Sequence, residues 1–243
     1  MPVIAERGYI IPAIGDEYVA CAERLAASIR QFHLSANITI VTREMLPYGD
    51  LGGYANDGQM FAVSPYRQTI KLEADMICAS PIDHWWTLFE RRDVVISQGA
   101  RTFYDRPAES RYYRKIFDAN NLPDVYNAIT YWRLSQTAKE FFDLVRAIFA
   151  HWDEYKKLLK FPDELPTTDV VYAMAAVIMG TERVTLPAGL GPTIVHMKRG
   201  INPTQTHNWT KELVWENNPF RINTVAQFGL VHYHIKEWSN EQR

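Results

Sequence analysis

The sequence lacks several features that would place it in common protein classes. Only two cysteines are present, Cys21 and Cys78, without the spacing of a metal-binding knuckle, so we expect reduced core thiols and a cytoplasmic protein. No run reaches about 18 uninterrupted apolar residues, and no basic segment precedes an apolar one at the N-terminus, so neither a membrane span nor a signal peptide is predicted. The formal net charge of -2 gives no global attraction to nucleic acid, so polyanion binding would require a local patch.

What is present is the composition of an ordinary soluble domain. Of the 243 residues, 47% are hydrophobic and 22% charged, which excludes a disordered chain. The length permits a sizeable core, and no repeat or linker divides the chain. We therefore predict a single domain over residues 1–243.

Strand-like and helix-like patterns alternate along the first half of the chain. A short apolar run, "GYIIPA", is followed by helical spacing in "DEYVACAERLAASIRQF" and by the β-branched "NITIVT", which predicts the start of a parallel α/β sheet. The remaining predictions are strands in "TIKLEADMIC", "DVVISQ", "VYNAITYW", "RVTLP", "TIVHMK" and "LVHYHIK", and helices in "PIDHWWTLFE", from about Ser135 to Lys157, and from the cap at Thr167 or Thr168 to Gly180.

Two carboxylates, Glu73 and Asp75, stand one residue apart in "TIKLEADMIC". Residues two apart in a strand point to the same face, so both should project together. Open α/β sheets bind ligands beyond the carboxyl ends of their strands, where this pair is expected. One interpretation is an ion pair with Lys71 or Arg67. The other is a site for Mg²⁺ or Mn²⁺, which prefer oxygen ligands and leave positions for the phosphates of a nucleotide diphosphate.

The stretch "TIKLEADMICASPIDHWW" resembles the strand of nucleotide-sugar glycosyltransferases with the GT-A fold, in which an Asp-X-Asp motif holds the metal ion that binds the diphosphate. The resemblance is closest to family 8 enzymes of the glycogenin and galactosyltransferase kind, and to phage-encoded relatives. It extends through "GYIIPAIGDEYVACAERLAASI", "IVT", "YNAITYWRLSQTAKEFF" and "TTDVVYAMA". The sequence departs from the family at Glu73, which replaces the first aspartate, at Ile129, which replaces a glycine, and at Val170, where glutamine is common.

The resemblance implies a fold and a reaction. The fold would be an α/β GT-A fold, a Rossmann-like, mixed and mainly parallel sheet flanked by helices. Residues 1–80 would be the nucleotide-binding half, and residues 81–243 the acceptor half with a C-terminal closing segment. The reaction would be the metal-dependent transfer of a sugar from a nucleotide-diphosphate sugar, with UDP as the expected nucleotide and with retention at the anomeric carbon.

The resemblance also implies site residues. Asn127 and Asp169 would line the donor sugar as catalytic residues, although an acidic residue in the first turn of a helix is also favoured by the helix dipole alone. The donor-binding residues would be Ala13, Tyr18, Thr42, Arg67, Lys71, Ala74, Lys198 and Lys236.

A C-terminal histidine would complete the metal site, and the sequence offers two candidates. His196 stands in "TIVHMKRG" with Lys198 on its face, and His232 stands in "LVHYHIKEW" with Lys236 on its face. Residue types favour His232, whereas the distance from the Asp169 helix favours the segment around His196. Both therefore stay candidates, with Lys198 as a phosphate or acceptor contact.

Between residues 91 and 115, seven cations are interleaved with four aromatic residues. Such a pattern can hold phosphates and stack on bases, so we predict an acceptor-binding surface and, as one acceptor, a hydroxymethylated base in phage DNA. Three acidic residues dilute the charge, and a plain surface loop is the other interpretation. The acceptor-binding candidates are Arg101, Tyr104, Arg106 and Arg111.

Two other function classes fit parts of the sequence. A nucleotidyltransferase also uses paired carboxylates and a metal, but "IPAIGDEY" lacks the Gly-rich, basic loop that would wrap a triphosphate. A non-catalytic carbohydrate- or nucleotide-binding module would use tryptophans as platforms, and core packing is the alternative role for them. The tryptophans concerned are Trp85, Trp86, Trp209 and Trp215.

Overall fold

The computed structural model describes residues 2–108, 114–162, 165–187, 189–198, 201–202, 209–217 and 219–236. The strands are β1 (Ala5–Pro12), β2 (Ile38–Val41), β3 (Tyr66–Leu72), β4 (Met76–Cys78), β5 (Val94–Gln98), β6 (Ala100–Arg101), β7 (Val125–Arg133), β8 (Ile194–His196), β9 (Trp215–Glu216), β10 (Arg221–Ile222), β11 (Val225–Ala226) and β12 (Leu230–His232). The helices are α1 (Asp16–Phe32), α2 (Met60–Val63), α3 (His84–Phe89), α4 (Lys115–Ala119), α5 (Gln136–Ala150), α6 (Trp152–Leu159), α7 (Thr168–Met179) and α8 (Thr181–Val184).

A five-stranded sheet in the order β2-β1-β3-β7-β5 forms the centre of the fold. Strand β1 is parallel to both β2 and β3, whereas β7 is antiparallel to its neighbours β3 and β5. Strand β7 alone therefore opposes the direction of the other four. The predicted fold class, a mixed and mainly parallel sheet flanked by helices, is confirmed.

Apolar side chains are buried on both faces of this sheet, which explains the uninterrupted apolar run in β1. Tyr9 and Ile11 contribute to the core that includes α1, and Ile10 contributes to the core that includes α5 and α7. Alternation along the strand sends consecutive residues to opposite faces. Within the described ranges, no helix combines the length and apolar character needed to cross a bilayer.

The predicted strand "TIKLEADMIC" is in fact two strands of two different sheets. Strand β3 ends where Leu72 pairs with Ile129 in the central sheet, and β4 begins where Met76 pairs with His232. Strand β4 belongs to a four-stranded sheet in the order β4-β12-β8-β6. Glu73 and Asp75 therefore lie in the crossing between the sheets, and not on one continuous strand face.

Two further element predictions are wrong. The long helix expected from about Ser135 to Lys157 is broken into α5 and α6 at His151, and the turn buries Trp152 with its ring 5.1 Å from that of Phe161. The strand expected in "RVTLP" begins as the helical turn α8, because Gly180 reverses the chain at φ 90°. The bounds of α1 and the Thr167 cap of α7 agree with the sequence pattern.

Candidate metal and donor site

A cavity of about 830 Å³ opens where the first strands of the central sheet end. Its wall includes Pro12, the last residue of β1, and Glu73, the residue after β3. The C-terminal segment closes the other side with the two short strands β8 and β12 and the residues that follow them. The cavity thus lies at the carboxyl edge of the sheet, where α/β folds bind ligands.

Glu73, Asp75 and His232 converge on one point of the cavity wall. The Nε2 atom of His232 lies 3.0 Å from Oδ1 of Asp75 and 3.3 Å from Oε2 of Glu73. One ligand atom from each residue lies within 4.8 Å of the other two. Two carboxylate oxygens and one imidazole nitrogen are a donor set that Mn²⁺ accepts, so these residues fit the divalent cation that the fold implies.

The break between β3 and β4 fixes the two carboxylates in this position. The Glu73 N–H donates to the Ala128 carbonyl at 3.1 Å, which ties this end of the crossing to β7. The Tyr233 N–H donates to the Asp75 carbonyl at 3.0 Å, which ties the other end to the segment after β12. The backbone therefore sets the separation of the carboxylates, and neither depends on a flexible loop.

Burial and mutual charge shift the pKa of each group in this cluster. Burial, reinforced by the neighbouring Asp75, raises the pKa of Glu73 to about 7, although His232 opposes the shift. Burial acts in the same sense on Asp75, but the charge and hydrogen bond of His232 outweigh it and hold the Asp75 pKa well below its usual range. Burial lowers the pKa of His232, but Asp75 and Glu73 outweigh it and leave that pKa raised. The carboxylates thus favour the protonated form of His232, and burial favours the protonated form of Glu73.

Both histidine candidates lie at the cavity. His196 pairs in register with His232 across the parallel strands β8 and β12, and the two rings stack with centroids 5.3 Å apart. Only His232 reaches the carboxylates within ion-pair distance among the described residues. Burial, with repulsion from His234 and His232, holds the His196 pKa well below its ordinary value.

A buried network under the cavity holds Lys71, and two of its members, Asp57 and Tyr172, were not predicted. The Nζ atom of Lys71 lies 2.6 Å from Oδ1 of Asp57 and donates to the Asn127 carbonyl at 3.3 Å. The other Asp57 oxygen accepts from the Asn127 amide at 3.1 Å and from the Tyr172 hydroxyl. The ion-pair partner of Lys71 is therefore Asp57, which corrects the interpretation that paired Lys71 with Glu73 or Asp75.

Asp169 is held by two donors on the cavity wall. Its Oδ1 accepts from the Asn127 N–H at 2.8 Å, and its Oδ2 accepts from Arg114 at 3.2 Å. The guanidinium of Arg114 lies 3.9 Å from the Tyr126 ring centroid and 3.8 Å from that of Phe117. It belongs to the basic segment predicted to bind the acceptor, yet it is only 1% exposed. Its structural contacts instead support Asp169.

Several predicted donor-binding residues do line the cavity. Tyr18, Ala74, Lys198 and Lys236 are among its wall residues. The ammonium of Lys236 donates to the Tyr18 hydroxyl at 2.5 Å and lies 4.0 Å from the centre of that ring. The end of the C-terminal segment is thus joined to the first turn of α1 across the cavity mouth.

Other predicted donor-binding residues lie elsewhere. Arg67 projects from β3 into solvent beside Glu6, at 3.7 Å, because it lies well before the carboxyl end of that strand. Ala13 is buried, with its N–H bonded to Val41 at 2.8 Å, and Thr42 follows β2 outside the cavity wall. Asn127 is fully buried beneath the wall.

The predicted acceptor-binding residues do not reach the cavity. Arg101 forms an ion pair with Asp105 at 2.5 Å, whereas Tyr104 and Arg106 are exposed. None of the three belongs to the cavity wall, since β6 carries this segment to the far edge of the four-stranded sheet. Arg111 lies outside the described residues.

The four tryptophans considered as sugar platforms pack inside the protein. Trp85 and Trp86 are 4% and 7% exposed on α3, and Trp209 is 1% exposed. Trp215 is half-buried, with its ring 4.4 Å from that of Trp209. They therefore serve the core, which removes the observation that favoured a binding module.

Comparisons with known proteins give a likeness of structure without a likeness of sequence. No protein-family model matches the chain, and no curated protein matches it. A glycosyltransferase involved in the glycosylation of the major capsid of PBCV-1 is 11% identical, with a TM-score of 0.51 over 97% of both chains. Mouse xyloside xylosyltransferase 1 is 8% identical, with a TM-score of 0.52 over 96% of this chain and 98% of its own.

A third solved structure shares this architecture as part of a longer chain. The WbbM bifunctional glycosyltransferase has a TM-score of 0.52 at 13% identity, over 96% of this chain and 47% of its own. At such identities the likeness concerns the fold alone, and function has to be argued from the site. The protein has the mixed α/β fold of the GT-A glycosyltransferases.

Proposed function

We propose that the protein is a metal-dependent glycosyltransferase that moves a sugar from a nucleotide-diphosphate sugar, with UDP as the nucleotide, to an acceptor hydroxyl. The observation that carries the proposal is the convergence of Glu73, Asp75 and His232 within 4.8 Å at the carboxyl edge of a GT-A sheet. The enclosing cavity, of about 830 Å³, is within the range of small-molecule sites.

In this proposal the metal ligands and the lysines of the cavity both stabilise the diphosphate of the donor. Glu73, Asp75 and His232 hold the cation, which when bound supplies Lewis-acid stabilisation to the departing diphosphate. Lys198 and Lys236 line the same cavity and contribute charge-assisted hydrogen bonds to phosphate oxygens. The leaving group is then neutralised without a proton donor.

For the sugar, we propose that Asp169 is the carboxylate at the reacting centre and that transfer retains the anomeric configuration. The Arg114 guanidinium and the Asn127 N–H fix both Asp169 oxygens. Since Asn127 is fully buried, its proposed role is to position Asp169 and not to touch the sugar. Lys71, held by Asp57, supports the cavity floor.

For the acceptor, we propose a hydroxymethylated base in DNA, of the kind that phages carry. What supports it is the Arg and Tyr content of residues 91–115, of which Tyr104 and Arg106 are exposed. Arg101 and Arg114 are already engaged by carboxylates. Binding of modified duplex in a gel-shift assay should therefore weaken with salt and with Arg106→Gln. No binding, or binding independent of salt, contradicts a DNA acceptor.

Donor turnover tests the reaction class. Wild-type protein supplied with Mn²⁺ should release nucleotide diphosphate from at least one nucleotide sugar, and chelation should abolish the release. Asp75→Asn should lower this turnover by about 10³-fold, since several kcal/mol of charge stabilisation depend on the cation. Glu140→Gln, an exposed carboxylate-to-amide change on α5, is the matched control and should keep wild-type turnover. Equal turnover of the Asp75→Asn and wild-type proteins contradicts the assigned site.

A further inference from the structure

We propose that His196, His232 and His234 form a second metal site, which takes a nitrogen-preferring cation such as Zn²⁺ and shares His232 with the carboxylate site. One ring nitrogen from each of the three residues lies within 4.8 Å of the other two. Zinc binding at this site does not depend on the proposed function. Only its consequence rests on that function, namely that Zn²⁺ would compete with the Mn²⁺ that supports sugar transfer.

The backbone brings the three rings together. His196 and His232 are register partners on the parallel strands β8 and β12, so their side chains leave the same face side by side. His234 has φ 63°, a left-handed conformation that is unfavourable for a non-glycine residue and is typical of functional sites. Its ring stacks on those of His232 and His196, with centroids 3.8 Å and 4.4 Å apart.

The nitrogen atoms of the cluster already lie close to one another. Nε2 of His234 lies 2.5 Å from Nδ1 of His196, so these two nitrogens share one proton. Tetrahedral Zn²⁺ with Zn–N bonds of about 2.0 Å separates its ligand nitrogens by about 3.4 Å, so this pair must move apart by about 1 Å. The stacked rings must also turn so that each nitrogen lone pair points at the ion. Nδ1 of His232 is buried and has no hydrogen-bond partner among the described residues.

Ligand chemistry separates the two sites. Imidazole nitrogens favour Zn²⁺, Cu²⁺ and Ni²⁺, whereas carboxylate oxygens favour Mg²⁺ and Mn²⁺. His196 is held firmly, since it is 4% exposed and packs edge-on against Tyr126 at 5.5 Å. Because His232 contributes to both donor sets, a zinc ion held by the histidines removes the one nitrogen ligand of the carboxylate site.

The test is zinc affinity of the full chain after metal removal, measured by competition with a chromophoric chelator. His196→Gln and His234→Gln should each weaken Zn²⁺ binding at least tenfold, and His84→Gln, an exposed histidine on α3, should leave it unchanged. Glu73→Gln should leave zinc affinity within about threefold while weakening Mn²⁺. Co²⁺ added to wild type should give the intense visible absorption of a four-coordinate nitrogen site, and His234→Gln should lose it.

Zinc affinity that is equal in wild type, His196→Gln and His234→Gln overturns the inference. So does a Glu73→Gln protein that loses zinc as completely as His234→Gln, because the ion would then occupy the carboxylate site. Because His234 is half-buried, we expect His234→Gln to fold, so this variant can carry the test alone if His196→Gln does not fold. The zinc and cobalt measurements do not require transfer. A protein that binds Zn²⁺ through the histidines but turns over no donor would therefore contradict the proposed function alone.

Discussion

The two segments that meet at the cavity differ in the length and regularity of their secondary structure. The N-terminal segment, residues 5–75, has strands of eight and seven residues in β1 and β3, a 17-residue helix and an ordered parallel sheet. The C-terminal segment, residues 194–236, has strands of only two or three residues. The first provides the carboxylates, and the second provides the imidazoles and ammonium groups. Neither segment alone carries the complete donor set of the carboxylate site, which takes Glu73 and Asp75 from the first and His232 from the second.

The two segments also differ in how firmly their charged side chains are held in place. The N-terminal segment contains a buried ion pair with a fixed partner, Lys71 with Asp57. In the C-terminal segment the charges line the cavity and contact one another or the first segment, as in Lys236 with Tyr18. We therefore expect substitutions in the first segment to affect folding most, and those in the second to affect ligand binding most.

The largest expected effect comes from breaking the buried pair of the N-terminal segment. Asp57→Ala should lower the free energy of unfolding by about 3–5 kcal/mol, because it leaves the Lys71 ammonium buried without its carboxylate. Chemical denaturation of both proteins measures the difference. Lys236→Met, at the partly exposed end of the C-terminal segment, should cost about 1 kcal/mol or less.

A double variant tests whether the unpaired charge of Lys71 causes the loss of stability. The double variant Asp57→Ala/Lys71→Met removes both charges and should recover a measurable part of the stability lost by Asp57→Ala. If Asp57→Ala and Lys236→Met were equally mild, the contrast between the two segments would be wrong.

An intermediate effect is expected at Arg114, which holds Asp169 on the cavity wall. Arg114→Lys keeps the charge but loses the planar group that contacts Asp124 and Asp169 while lying against two aromatic rings. Asp169 would then be less well placed, and donor turnover should fall on the order of tenfold with little change in donor KM. Steady-state kinetics distinguish the two parameters. Arg30→Lys, on the exposed last turn of α1, is the control, and unchanged turnover of Arg114→Lys would show that Asp169 needs no such support.

A further effect concerns the pH dependence of the metal-free protein. Folding raises the pKa of Glu73 from 4.5 to about 7, so the folded state binds this proton more tightly than the unfolded state. The resulting stability is fully present below about pH 4.5 and is lost as pH rises through about 7. His232, whose pKa is also raised, acts in the same direction.

Thermal unfolding in the presence of a chelator measures this effect. Glu73→Gln cannot lose a proton, so its melting temperature should exceed that of wild type at about pH 8 and approach it at about pH 5. Glu140→Gln should follow the wild-type curve at both. A difference between Glu73→Gln and wild type that does not change with pH would exclude an uncompensated Glu73 charge as the cause.

Sequence patterns predicted the framework well because it depends on local spacing. Helical periodicity gave α1 with its observed bounds, and a cap at Thr167 or Thr168 together with Gly180 marked both ends of α7, where the structure has Thr167 as the cap. The break at Glu73–Asp75 could not be predicted in this way, because apolar residues flank it on both sides. What ends β3 is the pairing of Met76 with His232, a residue more than 150 positions away.

The sequence predicted the residue types of the candidate site, but it predicted the contacts between those residues less well. Glu73 and Asp75 were recognisable from a motif, whereas the histidine stayed open between His196 and His232. Asp57 was not recognisable, because it lies in a polar, Gly-rich turn over Gly53–Gln59 whose composition is that of any surface connection. The position of His234 was also inaccessible, since the left-handed backbone that turns its ring back has no sequence signal in a non-glycine residue.

The central claim is that one cation is held jointly by the carboxylates of the N-terminal segment and a histidine of the C-terminal segment. Titration of Mn²⁺ into the metal-free protein, followed by the electron paramagnetic resonance signal of the free ion, tests it most directly. The account predicts that His232→Gln binds Mn²⁺ at least tenfold more weakly than wild type, whereas His84→Gln binds it equally well. Equal Mn²⁺ affinity of His232→Gln and wild type would contradict the claim.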